Sequence, residues 1–249
     1  LAAELLSLSM DTNQYPGLVP SYEHERLAAL QPYQVLGTPG QEVFNDFVSI
    51  VAKLFDMPIA LVSLVRADDV VFIGNEGLPE ALVVGREDSM CSVAILSDEL
   101  TEFRDVVAQP CDLVNPFVAQ EMNLGFYAGQ ALRSPEGLSL GSLCIIDHRP
   151  RQLTPLEGDL LKDLARVAQE LLRLQAAQAT GFTVPEGLRS RVDATVQQSL
   201  TRLGTLAALR QLDPAPESED TRRYHESRLD EARYMAQVMH RELLAVLDK

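Results

Sequence analysis

Two apolar runs flank a single turn near the middle of the chain. Residues 126–132 and 138–146 each have strand length, and Arg133-Ser134-Pro135-Glu136-Gly137 stands between them. Pro fixes φ there and Gly allows φ > 0, so the pattern predicts a β-hairpin. Neither run alternates cleanly between apolar and polar residues, so both faces of the sheet are expected to be covered. Upstream, residues 58–65 are continuously apolar apart from Ser63. Ala67-Asp68-Asp69 turns the chain, and residues 70–74 are predicted to pair back as a second hairpin. Before it, Val43, Phe44, Phe47, Val48, Ile50, Val51, Leu54 and Phe55 recur at spacings of three and four, which predicts a helix over 41–56.

The linking stretches are shorter and less regular. Ser21 is a candidate cap for a helix carrying Glu25, Leu27, Leu30 and Leu36, broken by Gly37-Thr38-Pro39-Gly40. Between the hairpins the pattern predicts a short helix within 89–97, a strand over 101–107, a loop over 110–116 and a short helix over 117–123. Crossover helices alternating with strands are missing, so the predicted class is α+β with an antiparallel sheet and a C-terminal helical extension.

After Pro150 the texture changes. Thr154, Pro155 and Glu157 supply a capping hydroxyl, a first-turn proline and an acid three residues on. Leu160, Leu164, Val167, Leu171 and Leu174 then form one stripe of a long helix suited to helix–helix contact. Two further helical patterns follow, 188–212 with Val192, Val196, Leu203 and Leu206, and 221–247 with Tyr234, Val238 and Met239. Asp213-Pro214-Ala215-Pro216-Glu217 separates them, which predicts a helical hairpin. The resulting division is an N-terminal segment over 1–20, a sensor-sized domain over 21–179 and a helical hairpin over 180–249. The chain opens on Leu1, and Met10 is a candidate natural start, so residues 1–9 are assigned no function.

Composition narrows the function. The formal net charge of −15, from 36 acidic and 21 basic residues, argues against a nucleic-acid partner and an anionic membrane surface. No apolar run reaches the ~18 residues of a membrane-spanning helix. Three cysteines, Cys91, Cys111 and Cys144, lack the pairing of a disulfide framework and the His spacing of a zinc site, so a cytoplasmic protein is expected.

Several islands in fixed order resemble the GAF domain family of bacterial signalling proteins. They are Glu25-Arg26-Leu27, the stretch Val35 through Pro39, Pro58 through Leu64, Phe72 through Leu78, and Ser89-Met90-Cys91. Asn115-Pro116, Phe126-Tyr127-Ala128-Gly129, Gly141 through Asp147, and Leu153-Thr154 complete the series, which covers about 23–172. The chain departs from the family pattern at Val71, at Gly125 and after Asp105, positions that the resemblance places on the pocket side. The resemblance implies an antiparallel sheet with helices on one face and a ligand cavity under loops on the other. On that view Phe72, Cys91, Asp105, Phe126, Tyr127, Cys144 and Asp147 are candidate lining residues. Ser89 and Ser92 join them from the segment expected to cover the sheet.

The same residue types have plainer readings. Free Cys often behaves as a small buried hydrophobe, which suits Cys144 in an apolar strand, whereas Cys91 at a helix start is the candidate reactive thiol. Asp147 fits a strand-end cap, and Asp105 fits a cap or a ligand contact equally. Phe126 and Tyr127 point to opposite faces of a regular strand, so only one can face the pocket. His240 fits a solvated helix position. The reading is a non-catalytic sensor that binds a small molecule of unknown identity, names no cofactor, forms a homodimer and acts on a downstream signalling protein. A thiol redox activity centred on Cys91 and a degenerate scaffold for protein contact are the alternatives.

Overall fold

The computed structural model describes residues 15–33, 42–78, 83–179 and 219–247 continuously, with scattered positions between 190 and 208. Helix α1 spans Glu23–Leu30 and α2 Glu42–Phe55, and β1 (Ile59–Val65) and β2 (Asp69–Glu76) form the first hairpin. Strand β3 (Val83–Gly85), a short turn of 3-10 helix (Arg86–Asp88), helix α3 (Cys91–Ala94) and β4 (Thr101–Phe103) follow. Helix α4 (Pro116–Glu121) leads to the second hairpin, β5 (Phe126–Arg133) and β6 (Ser139–Asp147), and the long helices are α5 (Pro155–Ala179) and α6 (Glu219–Leu247).

All six strands join one antiparallel sheet in the order β3-β2-β1-β6-β5-β4. The two hairpins meet along β1 and β6, with Leu61 opposite Cys144 and Ser63 opposite Ser142. Gly141 makes that seam possible. A Cβ there would lie 1.8 Å from the Ser63 carbonyl oxygen, a backbone atom that cannot step aside.

Alternation along each strand divides the core in two. Ala60, Val62, Leu64, Val71, Ile73, Phe126, Leu143 and Ile145 face α2 and α5. Ile59, Leu61, Val65, Val70, Phe72, Tyr127, Cys144 and Ile146 face α3 and the segments around it. Every residue of β1 is buried, which explains its unbroken apolar run: each face has its own cover. Val71 belongs to the helix side, not to the pocket side that the resemblance implied.

The sequence-predicted start of α5 is a capping box. Thr154 Oγ1 accepts from the Glu157 backbone N–H (3.2 Å), while Glu157 Oε2 accepts from the Thr154 N–H (2.8 Å). The leucine stripe of α5 is buried within the chain, against the sheet and against Ala232, Met235, Ala236, Met239 and Leu243 of α6. That stripe motivated the homodimer expectation, and the chain itself supplies the partner face. The α5–α6 contact is fastened by buried Asp163, which accepts from Arg233 Nε (3.0 Å) and Gln237 Nε2 (2.8 Å). His240 also packs here, with Nε2 3.8 Å from Glu170 Oε1; it is half-buried, not solvated as expected, because α5 covers that face of α6. Most of the other predicted hairpin arm, 188–212, lies outside the described residues, as do 1–14.

Local differences from the sequence expectations have short-range causes. β3 is three residues long, too short for a period to show, and β4 ends at Phe103, before the predicted 107. Helix α1 ends at Leu30 and passes into a 3-10 turn at 31–33. Its Arg26 is fully buried, donating to Glu23 (2.7 Å), to the Val65 carbonyl (2.7 Å) and to the Ser139 carbonyl (3.3 Å). Arg86 is buried beside it and donates to Glu23 (2.6 Å) and the Leu18 carbonyl (2.8 Å). One carboxylate thus joins α1 to the segment that begins the cover of the second sheet face. Among the described residues, no helix is long and apolar enough to cross a membrane.

Candidate functional site

The cover of the sheet face opposite the long helices runs from the end of β2 to the start of β5. Arg86–Asp88 is held down by the Arg86–Glu23 pair, and α3 follows with Cys91 as its first residue. The Asn115 side chain caps α4 by accepting from the Phe117 N–H (3.1 Å), while its amide donates to Asp88 (3.0 Å). The two sides of the cover are therefore tied together at the rim.

A cavity of about 60 Å³ remains between this cover and the sheet. Its floor is Leu61, Phe72, Tyr127 and Ile146; its walls include Met90, Cys91, Cys111 and Val114, with Ala119 and Met122 from the α4 segment. The walls are mostly apolar, and the polar groups are Asp88, Ser89, Asn115, Tyr127 and the two thiols. Among the described lining residues one carboxylate is present, and neither Lys nor Arg. No group of three His, Cys, Asp or Glu gathers as a metal site among the described residues.

Two buried groups stand out. The Tyr127 ring is 1% exposed and leans on Phe103 of β4, with ring centroids 6.5 Å apart. Its hydroxyl neighbours Cys91, Cys144 and Ser142 but makes no hydrogen bond of normal geometry. Burial pushes that phenol well above its ordinary pKa, so it stays protonated and able to donate. Beside it, Cys91 Sγ and Cys144 Sγ are 3.7 Å apart, and both cysteines are free. The hydrogen bond from Cys144, helped by Ser142, Ser63 and Ser89, lowers the Cys91 thiol to about 6 against the opposing effect of burial. Cys144 goes the other way: its bond to Cys91 and its burial hold it well above the ordinary thiol range.

The predicted site residues separate on this geometry. Phe72, Cys91 and Tyr127 line the cavity, and Cys144 lies in the same core, in contact with Cys91. Phe126 is on the opposite face of β5, among residues packed under the long helices, because adjacent strand residues alternate sides. Ser92 is fully buried, and its hydroxyl donates to the Arg86 carbonyl (2.7 Å), so it braces α3 and does not line the cavity. Asp105 closes a turn, accepting from the Val107 and Ala108 N–H groups (3.2 and 2.8 Å), and is likewise off the cavity. Asp147 accepts from the Arg149 N–H (3.1 Å) as a strand-end cap. Sequence reasoning did not single out Met90, Cys111, Val114, Ala119 and Met122 as lining residues; they come from irregular cover that carries no periodic signal.

The family model for the GAF domain matches residues 39–172, more than half of the chain. The chain belongs to the GAF domain family. The match takes in both hairpins, the cavity and most of α5, while α1 lies ahead of it. GAF domains are signal-sensing modules. At Gly125, one of the departures from the family pattern, the backbone passes so close to 148–149 that a Cβ would lie 2.6 Å from the His148 carbonyl oxygen. A cyclic di-GMP phosphodiesterase of Pseudomonas aeruginosa is 34% identical over 194 residues, covering 76% of this chain and 32% of the relative. The chain thus spans about a third of that protein's length. Among solved structures, the GAF domain of the Acinetobacter phosphoenolpyruvate-protein phosphotransferase is similar at 12% identity and TM-score 0.46, covering 64% of this chain and 98% of that one. A type II free methionine-R-sulfoxide reductase of Thermoplasma acidophilum is similar at 12% identity and TM-score 0.43, covering 53% and 94%.

Proposed function

We propose that this GAF domain senses a small, uncharged, largely apolar molecule in the cavity under α3 and α4, without catalysing a reaction on it. The observation that carries the reading is the mostly apolar cavity of about 60 Å³ floored by Leu61, Phe72, Tyr127 and Ile146. Apolar walls with a few polar groups among them, here Asp88, Ser89 and Asn115, are the usual make of a small-molecule site. The apolar walls select against a charged ligand, and Asp88 without a lining Lys or Arg repels an anion. A cavity of about 60 Å³ is smaller than the ~150 Å³ apolar cavity that accepts benzene. It suits a molecule of a few heavy atoms, or a somewhat larger one if the cover shifts. A cyclic dinucleotide fits neither its size nor its charge.

The output route follows from strand alternation. Tyr127, Cys144 and Ile146 touch the cavity side, and their neighbours Phe126, Leu143 and Ile145 touch the helix side. A ligand that shifts β5 and β6 therefore acts on α5 and, through Asp163, on α6. The 34% identity to a cyclic di-GMP phosphodiesterase supports a role for the module in signalling.

A thermal-shift screen of small uncharged compounds tests the reading, run on the native chain and on Ala119→Phe, which fills the cavity. Saturation at about 100 times Kd stabilises by about 2.7 kcal/mol. The expected result is a compound that raises Tm in the native chain and not in the variant. Shifts confined to anionic nucleotides, or equal shifts in both proteins, would overturn it.

A further inference from the structure

Cys91 and Cys144 come from opposite sides of the cavity layer. Cys91 begins α3 in the cover, and Cys144 lies within β6, opposite Leu61 of β1 and Gly129 of β5. They are 2% and 0% exposed, and their sulfurs are 3.7 Å apart. A disulfide needs about 2.05 Å, so a small approach of α3 toward the sheet would bring them to bonding distance. Of the pair, Cys91 alone lines the cavity, which offers a small oxidant a way in.

We propose that Cys91 and Cys144 form a reversible dithiol–disulfide pair, in which Cys91 reacts first with a small peroxide entering through the cavity and Cys144 then closes a disulfide that staples α3 to β6. In the first step the Cys91 thiolate attacks one peroxide oxygen. The O–O bond breaks, an S–O bond forms, and the other oxygen leaves as water, or as an alcohol from an organic peroxide, taking up the proton that Cys91 released. In the second step Cys144 Sγ attacks the Cys91 sulfenic sulfur. The S–S bond forms, the S–O bond breaks, and the departing hydroxide leaves as water with the Cys144 proton. The two thiols lose two electrons and two protons in all, and the peroxide gains them. A dithiol reductant reverses the reaction by exchange.

The surroundings fit this order. Donors from Cys144, Ser142, Ser63 and Ser89 favour the thiolate at Cys91, while Cys144 keeps its proton until the sulfenic acid is in place. The Ser63 and Ser142 hydroxyls are 3.1 Å apart across the β1–β6 seam and hold these donors in register. The staple would draw the cover onto the sheet and narrow the cavity. The pairing rests on sulfur geometry and stands whether or not the cavity holds a ligand, so a failed ligand screen leaves it untouched.

The test is oxidation of the intact protein with hydrogen peroxide, followed by alkylation under denaturing conditions and peptide mapping. The expected product has two of the three cysteines blocked, regains them with dithiothreitol, and yields one cross-linked peptide joining Cys91 to Cys144. In Cys144→Ser the oxidation should stop at a Cys91 sulfenic acid that dimedone traps, and in Cys91→Ser, Cys144 should stay reduced at the same dose. Should either variant fail to fold, the map of the native chain decides. A cross-link through Cys111, sulfinic acid at Cys91 without a cross-link, or thiols that react only after unfolding would overturn the proposal.

Discussion

Replacing Glu23 with Gln isolates one charge that two buried arginines share. Arg26 and Arg86 are 0% and 1% exposed, and both donate to the Glu23 carboxylate at 2.6–2.7 Å. Gln keeps the size and one acceptor oxygen but leaves two guanidiniums without a counter-charge. Removing one partner of a buried ion pair costs about 3–5 kcal/mol. The Glu23 side chain is 17% exposed and the arginines keep their carbonyl partners, so the lower end, about 3 kcal/mol, is expected. At roughly 2–4 °C per kcal/mol for a domain of this size, Tm should fall by roughly 10 °C. The cost should depend on pH. Burial raises the Glu23 pKa, but the hydrogen bonds and charges of Arg26 and Arg86 outweigh it and hold the carboxyl below its ordinary 4.5. Its stabilisation is thus fully present above 4.5 and lost as pH falls through the depressed folded value. Urea unfolding of both proteins at about pH 7 and about pH 3 measures this, with the difference expected to be large at neutral pH and to shrink in acid. A difference under about 1 kcal/mol at neutral pH, or one that does not change with pH, would refute the reasoning.

Three other substitutions probe separate parts of the fold. Gly141→Ala places a methyl 1.8 Å from the Ser63 carbonyl oxygen and should cost about 4 kcal/mol or more, read as loss of a cooperative melt or of soluble protein. Cys144→Ala should lower stability by about 1–2 kcal/mol from lost packing, while compounds found in the thermal-shift screen still bind. Thr154→Ala removes half of the capping box and should cost about 1 kcal/mol in urea unfolding, with the cavity unaffected.

Much of the fold was legible because its two hairpins and α2 repeat a pattern long enough to read. The buried strands and the antiparallel order follow from apolar runs at 58–65 and 126–146, and Thr154, Pro155 and Glu157 give the start of α5 to the residue. The site was harder to read. A period of two says that Phe126 and Tyr127 diverge, but not which one meets the long helices. A four-residue helix such as α3 is too short to display a face, so Ser92 looked the same as a lining residue. Asp105 and Asp147 have the chemistry of ligand contacts and of turn caps alike, and only the N–H groups beside them decide. No local pattern marks Arg26 and Arg86 as buried; the fold does so by bringing Glu23 between them. The leucine stripe of α5 predicted a partner helix, but a stripe does not say whether that helix belongs to the same chain.

The central claim is that the cavity beside Tyr127 is a binding site. Native mass spectrometry of gently purified protein, beside the Ala119→Phe variant, tests it most directly. The account predicts a small neutral adduct on the native chain that is shed on collisional activation and is missing from the variant. A native chain that carries no adduct and gains none from cell extract, or an adduct that persists equally in the variant, would contradict it.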